Sequence, residues 1–198
     1  MTTIVYLVRH GVHDQLQGRL CGRTPGVTLG AAGLAQAEDA GRRLAGAGIE
    51  LVMTSPLERT RQTAEPIAHA CRADLRVEED LLEIDFGDWN GRSFESLEPE
   101  PLWTTWNANR DTARPPSGEA MIEVQTRLAR WLRRVVRSGA RAVAGVSHAD
   151  VIKAAVALSL GLSMRAHDRF EISPGSVTTL IAGDGFLKLH ALNEVPHG

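Results

Sequence analysis

Ile4-Val5-Tyr6-Leu7-Val8 runs directly into Arg9-His10-Gly11. Five consecutive apolar or aromatic residues, rich in strand formers, are too short for a helix and read as a strand buried on both faces. The same signal returns at 49–53 and at 142–146, and each time a helical pattern follows. The first helix is expected over 29–44, with Thr28 as its N-cap and Gly46 and Gly48 past its end. The second is expected from Ser55-Pro56-Leu57-Glu58 to about residue 70, with Ser55 as cap, Pro56 at the first helical position and Glu58 completing a capping box. Residues 75–77 read as a short strand, 119–136 as a long amphipathic helix and 149–160 as another helix. Strand patterns at 177–182 and 186–192 flank Gly183-Asp184-Gly185, a hairpin signal. This order predicts an α/β three-layer sandwich: a mostly parallel central sheet, helices on both faces and an antiparallel C-terminal hairpin. Residues 1–198 are expected to form a single domain. About 83–118 is an irregular insertion holding Pro99, Pro101, Pro115 and Pro116 and three of the four tryptophans (Trp89, Trp103, Trp106), which suits a lid or pocket wall.

Composition narrows the function. The chain carries 22 Lys+Arg against 24 Asp+Glu, a formal charge of −2. That balance argues against a protein that coats nucleic acid or an anionic membrane. No apolar run approaches the roughly 18 residues of a membrane span, and no charged leader precedes the first strand, so a cytoplasmic location is expected. Cys21 and Cys71 cannot make a disulfide framework and are expected to be reduced thiols.

In parallel sheets, ligands bind beyond the carboxyl ends of the strands. Arg9-His10-Gly11 stands at one such end, Ser55 to Arg61 at a second and Ser147-His148-Ala149-Asp150 at a third. Two histidines and at least two arginines therefore converge on one edge. Guanidinium forks and helix N-termini match phosphate oxygens, and neutral imidazole is a competent nucleophile. Ser147 and Asp150 look like a capping pair around His148, and Gly11 would let backbone approach a ligand.

Arg9-His10-Gly11 after an N-terminal strand resembles the signature of the histidine phosphatase superfamily, which includes the cofactor-dependent phosphoglycerate mutases. Gly22 to Leu29, with Gly33 and Gln36-Ala37 following, is similar to that family's lead into its first helix. Thr54 to Ala64 resembles its second motif, Glu83 to Gly91 the segment carrying its acid and Ser147-His148 its last motif. The resemblance implies that His10 attacks phosphorus and becomes a phosphohistidine. It implies that Arg9, Arg59 and His148 hold the phosphoryl oxygens and that Glu83 protonates the leaving oxygen, then assists water. Burial beside Trp89 would raise the Glu83 pKa; Asp85 is the competing carboxylate. Substrate contacts are expected from Arg9, Arg59, His148, Ala149 and either Gln15 or Gln17, since Val12, His13, Asp14 and Gln15 stand where relatives carry an acid, a hydroxyl and an Asn. His13 would line the pocket.

The implied activity is a metal-independent phosphomonoesterase, without a cofactor, acting on a small phosphorylated metabolite. A phosphoglycerate mutase-like phosphotransferase is the alternative, with Arg92, Arg110 and Arg114 available for a second anionic group. A metal site of His10, His13, Asp14, His148 and Asp150 and a non-catalytic phosphate-binding module are weaker rivals. Arg61 reads as a helix-surface residue. Arg127, Arg130, Arg134, Arg137 and Arg141 recur at helical spacing and read as a solvated face rather than a nucleic-acid stripe. Trp103 and Trp106 either wall the pocket or pack beneath the insertion. Oligomeric state is open, a homodimer included.

Overall fold

The computed structural model describes residues 2–14 and 18–195. Its six strands are β1 (Thr2–Arg9), β2 (Leu51–Thr54), β3 (Asp74–Val77), β4 (Ala142–Ser147), β5 (Val177–Gly183) and β6 (Phe186–Glu194). They lie in one sheet in the order β3-β2-β4-β1-β5-β6. β1, β2, β3 and β4 run parallel, and β5 lies antiparallel to both β1 and β6. The sheet is the α/β arrangement its sequence predicts, and β5–β6 is the expected hairpin.

Alternation along the strands builds two cores. Val5 and Leu7 of β1 and Val143 of β4 face the helices α5 (Met121–Ser138) and α6 (Ala149–Leu160). Val8 of β1 and Ala142, Ala144 and Val146 of β4 face α1 (Ala31–Leu44) and α2 (Glu58–Cys71). Both β4 faces are buried, which is why its sequence is a continuous apolar run. Gly145 is required there, because a Cβ would stand 2.8 Å from Trp131 Cη2. Between β3 and α5 lie the short helices α3 (Phe94–Leu97) and α4 (Pro101–Ala108). Trp89 and Trp106 of this stretch are fully buried, and Trp103 packs edge-on to Trp89 at 5.3 Å. These tryptophans fill the core beneath the insertion.

Helix starts differ from the expectation. α1 begins after Gly30, without a side-chain cap, so Thr28 caps nothing. α2 begins at Glu58 after an extended Leu57. Ser55 is not its cap, because the Ser55 hydroxyl is engaged by His148, and Glu58 accepts from Gly26 N instead of closing a capping box. At α6 neither Ser147 nor Asp150 caps; Ser147 Oγ donates to Leu81 O at 2.7 Å. The arginine stripe of α5 is also not simply solvated. Arg127 is buried, with two hydrogen bonds to the Glu119 carboxylate (2.9 and 3.1 Å) and a third to Asp80 O (2.6 Å). Arg130 and Arg134 both pair with Asp80. Cys21 and Cys71 form no disulfide, and no helix among the described residues is long and apolar enough to cross a membrane.

Candidate active site

Register brings the two histidines together. Arg9 of β1 lies opposite Ser147 of β4. The ladder continues one step beyond, with His10 N donating to Ser147 O at 3.0 Å. Residues 10 and 148 therefore leave the sheet side by side, with their rings 5.3 Å apart. β2 adds a third corner: Ser55 N donates to Val146 O at 3.0 Å, which sets Ser55 Oγ 2.9 Å from His148 Nε2.

The partners define both tautomers. His10 Nδ1 is 2.8 Å from Gly11 O. A carbonyl only accepts, so Nδ1 carries the proton and Nε2 keeps its lone pair. Arg59 Nη2 lies 3.3 Å from His148 Nδ1. A guanidinium only donates, so His148 carries its proton on Nε2 and gives it to Ser55. Burial, then the charges of Arg59 and, for His10, Arg9, holds both imidazoles well below the ordinary histidine range. Both are neutral at pH 7.

Two guanidiniums face the same space. Arg59 is fully buried, and its Nη2 donates to Gly22 O at 2.7 Å. Arg9 Nη1 donates to Ile172 O at 2.6 Å. Arg9 Nε, Arg59 Nε and Arg59 Nη1 are buried without a protein hydrogen-bond partner. Unsatisfied charged donors are expensive in an interior, and both side chains line one cavity, which suits that cavity to anionic oxygens. Burial lowers both arginine pKa values, with Glu83 opposing; a guanidinium stays charged regardless.

Glu83 is buried. Its Oε1 accepts from Ile84 N at 2.9 Å, and its Oε2 lies 3.8 Å from His148 Nδ1. Its pKa is pushed up to about 7, first by burial and then by the charge of Asp150, against the pull of Arg59. Asp85 differs in every respect. It accepts from Gly87 N and Asn90 Nδ2, pairs with Arg23 and titrates below the ordinary range despite some burial. The cavity, about 150 Å³, is lined by Arg9, His10, His13, Arg59, Glu83, Ala149 and Asp150, with Arg19, Leu20, Cys21, Gly22, Phe86 and Phe94 on its remaining walls.

The structure thus brings together Arg9, His10, Arg59, Glu83, His148 and Ala149. Gln15 and Gln17 lie outside the described residues. His13 does line the cavity, stacked on His10 at 5.4 Å, and burial lowers its pKa to about 4. Trp103 and Trp106 do not line it; Phe86 and Phe94 do. Arg61 is exposed as expected. Arg92, Arg110 and Arg114 are paired with Glu100, Asp150 and Glu123, respectively. Gly11 serves packing: a Cβ there would stand 2.4 Å from Gly33 O of α1.

Sequence reasoning missed several supports. Thr63 Oγ1 accepts from Gly11 N at 3.1 Å and donates to Arg59 O, joining the loop after His10 to Arg59. Gln36 Oε1 accepts from Val12 N, and Arg23 Nε donates to Glu83 O at 2.7 Å. A signal existed: Arg23, Gln36 and Thr63 all stand inside the motif segments. Asp150 reads from sequence as a cap or a metal ligand, whereas the structure sets it in the same cavity as Glu83, 67 positions away.

A parallel sheet with paired histidines and arginines at its carboxyl edge defines a phosphoryl-handling class of protein. The family model for the histidine phosphatase superfamily (branch 1) matches residues 5–195, and the chain belongs to that family. A Salmonella paratyphi B protein named "Probable phosphoglycerate mutase GpmB" is 34% identical over 181 residues, 89% of this chain and 83% of its own. The α-ribazole phosphatase from Shigella flexneri superposes with a TM-score of 0.85 at 26% identity, covering 99% of this chain and 98% of that one. Bacillus stearothermophilus YhfR reaches a TM-score of 0.91 at 24% identity over 98% of both chains, a likeness of fold.

Proposed function

We propose that the protein is a metal-independent phosphomonoesterase that hydrolyses a small phosphorylated metabolite through a phosphohistidine on His10. The observation that carries this reading is the pairing of an unprotonated His10 Nε2 with buried, unsatisfied guanidinium donors of Arg9 and Arg59 in one cavity. In the first step His10 Nε2 attacks phosphorus and the P–O bond breaks. Glu83, held protonated by its raised pKa, gives its proton to the leaving oxygen. Arg9 and Arg59 hold the equatorial oxygens, with His148 behind them bonded to Arg59 and Ser55, and preorganised donors of this kind supply the largest catalytic effect. In the second step Glu83, now a carboxylate, takes a proton from water. The water oxygen attacks phosphorus, the P–N bond breaks, and inorganic phosphate leaves with His10 restored. The two guanidiniums perform the charge neutralisation that a divalent ion would otherwise supply.

Phosphoglycerate mutase activity is the second reading, favoured by the name of the curated relatives. Against it stands the engagement of Arg92, Arg110 and Arg114 with carboxylates of the chain itself, in place of a substrate carboxylate. A panel of phosphorylated metabolites, assayed for phosphate release with and without EDTA, tests the proposal. His10→Ala should abolish release, and EDTA should leave it unchanged. Full activity in His10→Ala would overturn the mechanism. Isomerisation of 3-phosphoglycerate faster than phosphate release would replace hydrolysis by transfer.

A further inference from the structure

Asp150 stands two residues past His148, in the first turn of α6, and lines the same cavity as Glu83. Its Oδ1 accepts from Arg110 Nη1. Arg110 follows α4, within the insertion, and is itself buried. Its guanidinium lies over the fully buried Trp106 ring at 5.1 Å, and its Nη2 donates to Asn107 Oδ1 at 3.0 Å. A cation gripped by an aromatic face, an amide and a carboxylate has little freedom. The Asp150 carboxylate is therefore fixed from the insertion side, although its own backbone belongs to α6.

The charged and titratable groups around Glu83 come from every neighbouring element. β1 contributes Arg9, and His10 follows it. α2 contributes Arg59, α5 contributes Arg127, and the start of α6 contributes His148 and Asp150. Arg23 meets the Glu83 carbonyl. Asp150 is the anion of this set. The arginines favour a Glu83 carboxylate, so burial has to prevail against them, and Asp150 opposes them directly. We propose that Asp150, held in place by Arg110, is a positioning residue that keeps the proton on Glu83 for delivery to the leaving oxygen. This rests on the reading of Glu83 as the acid. A merely structural Arg110–Asp150 pair would fasten the insertion to α6 without altering where Glu83 titrates.

The test uses the full chain labelled with 13C-glutamate. The Glu83 side-chain carboxyl is assigned by its loss in Glu83→Gln and titrated by NMR. Asp150→Asn keeps an oxygen for Arg110 Nη1 while removing the charge. Its Glu83 midpoint should fall by about half a pH unit or more. The alkaline limb of kcat/KM should follow by the same interval, so the ratio of activity at pH 8 to that at pH 5.5 drops about threefold. A Glu83 midpoint unchanged in Asp150→Asn overturns the inference. A midpoint that moves while the rate profile stays fixed overturns Glu83 as the acid, and activity surviving in His10→Ala overturns the phosphohistidine reading separately.

Discussion

The two carboxylates two residues apart, Glu83 and Asp85, show how far environment separates chemically similar groups. Glu83 is buried and pushed up to about 7, whereas Asp85 is lowered by Gly87 N, Asn90 and Arg23 against modest burial. A proton donor must hold its proton at the working pH, and Glu83 does so up to about neutrality. His10, pushed well below the ordinary range, keeps its lone pair on the acid side. Activity should therefore peak below pH 7 and decline as Glu83 ionises. Glu83→Gln should cut kcat by about 100-fold or more toward substrates with poor leaving groups. It should matter less for p-nitrophenyl phosphate, whose leaving oxygen needs little protonation. Asp85→Asn should leave the pH profile in place. An Asp85→Asn loss as deep as that of Glu83→Gln would reverse the assignment.

Among elements, the contact between the loop after β1 and α1 constrains His10 most closely. A Cβ on Gly33 would stand 2.1 Å from Val12 O, and one on Gly11 would stand 2.4 Å from Gly33 O. Alanine in a helix is ordinarily better than glycine by about 1 kcal/mol. At Gly33 the backbone clash wins, so Gly33→Ala should destabilise by about 1–3 kcal/mol and displace His10. Thermal unfolding and phosphate release would register both; a stabilised, fully active Gly33→Ala would refute the close approach. Much of this level was legible in the sequence. The run before Ser147 reads as a strand because both faces of β4 are buried, which hydrophobicity alone reports; β1 was expected to match it, but Ile4 is exposed and Tyr6 half-buried, so one of its faces is only partly covered. Helix starts were not legible. Ser55 has the chemistry of a cap, but His148, 93 positions away, takes its hydroxyl. Arg127 has the spacing of a solvated face, but Glu119 and Asp80 draw it inside. For Ser55 and for the Arg127 bond to Asp80 O the partner is distant in sequence and lies outside any local window.

For the whole molecule, the burial of Glu83 carries a stability cost with a definite sign. The native state binds the Glu83 proton more tightly than the unfolded chain does. That contribution is fully present below about pH 4.5 and is lost as pH rises through about 7. Glu83→Gln, which cannot ionise, should raise Tm by a few degrees at pH 8 and change it little at pH 5. Equal shifts at both pH values would contradict a buried, proton-holding Glu83. Function and stability thus oppose each other at this position. The strand order has a further consequence, and it concerns synthesis. β1 leaves the ribosome before the other five strands, yet its neighbours on both sides, β4 and β5, are the fourth and fifth to be made. Until residue 142 has been made, the opening strand has two bare edges, which is the state most exposed to chaperones and to mispairing. His10 is therefore made long before His148, and the cluster of the two histidines with Arg59 cannot assemble until β4 and the start of α6 have been synthesised.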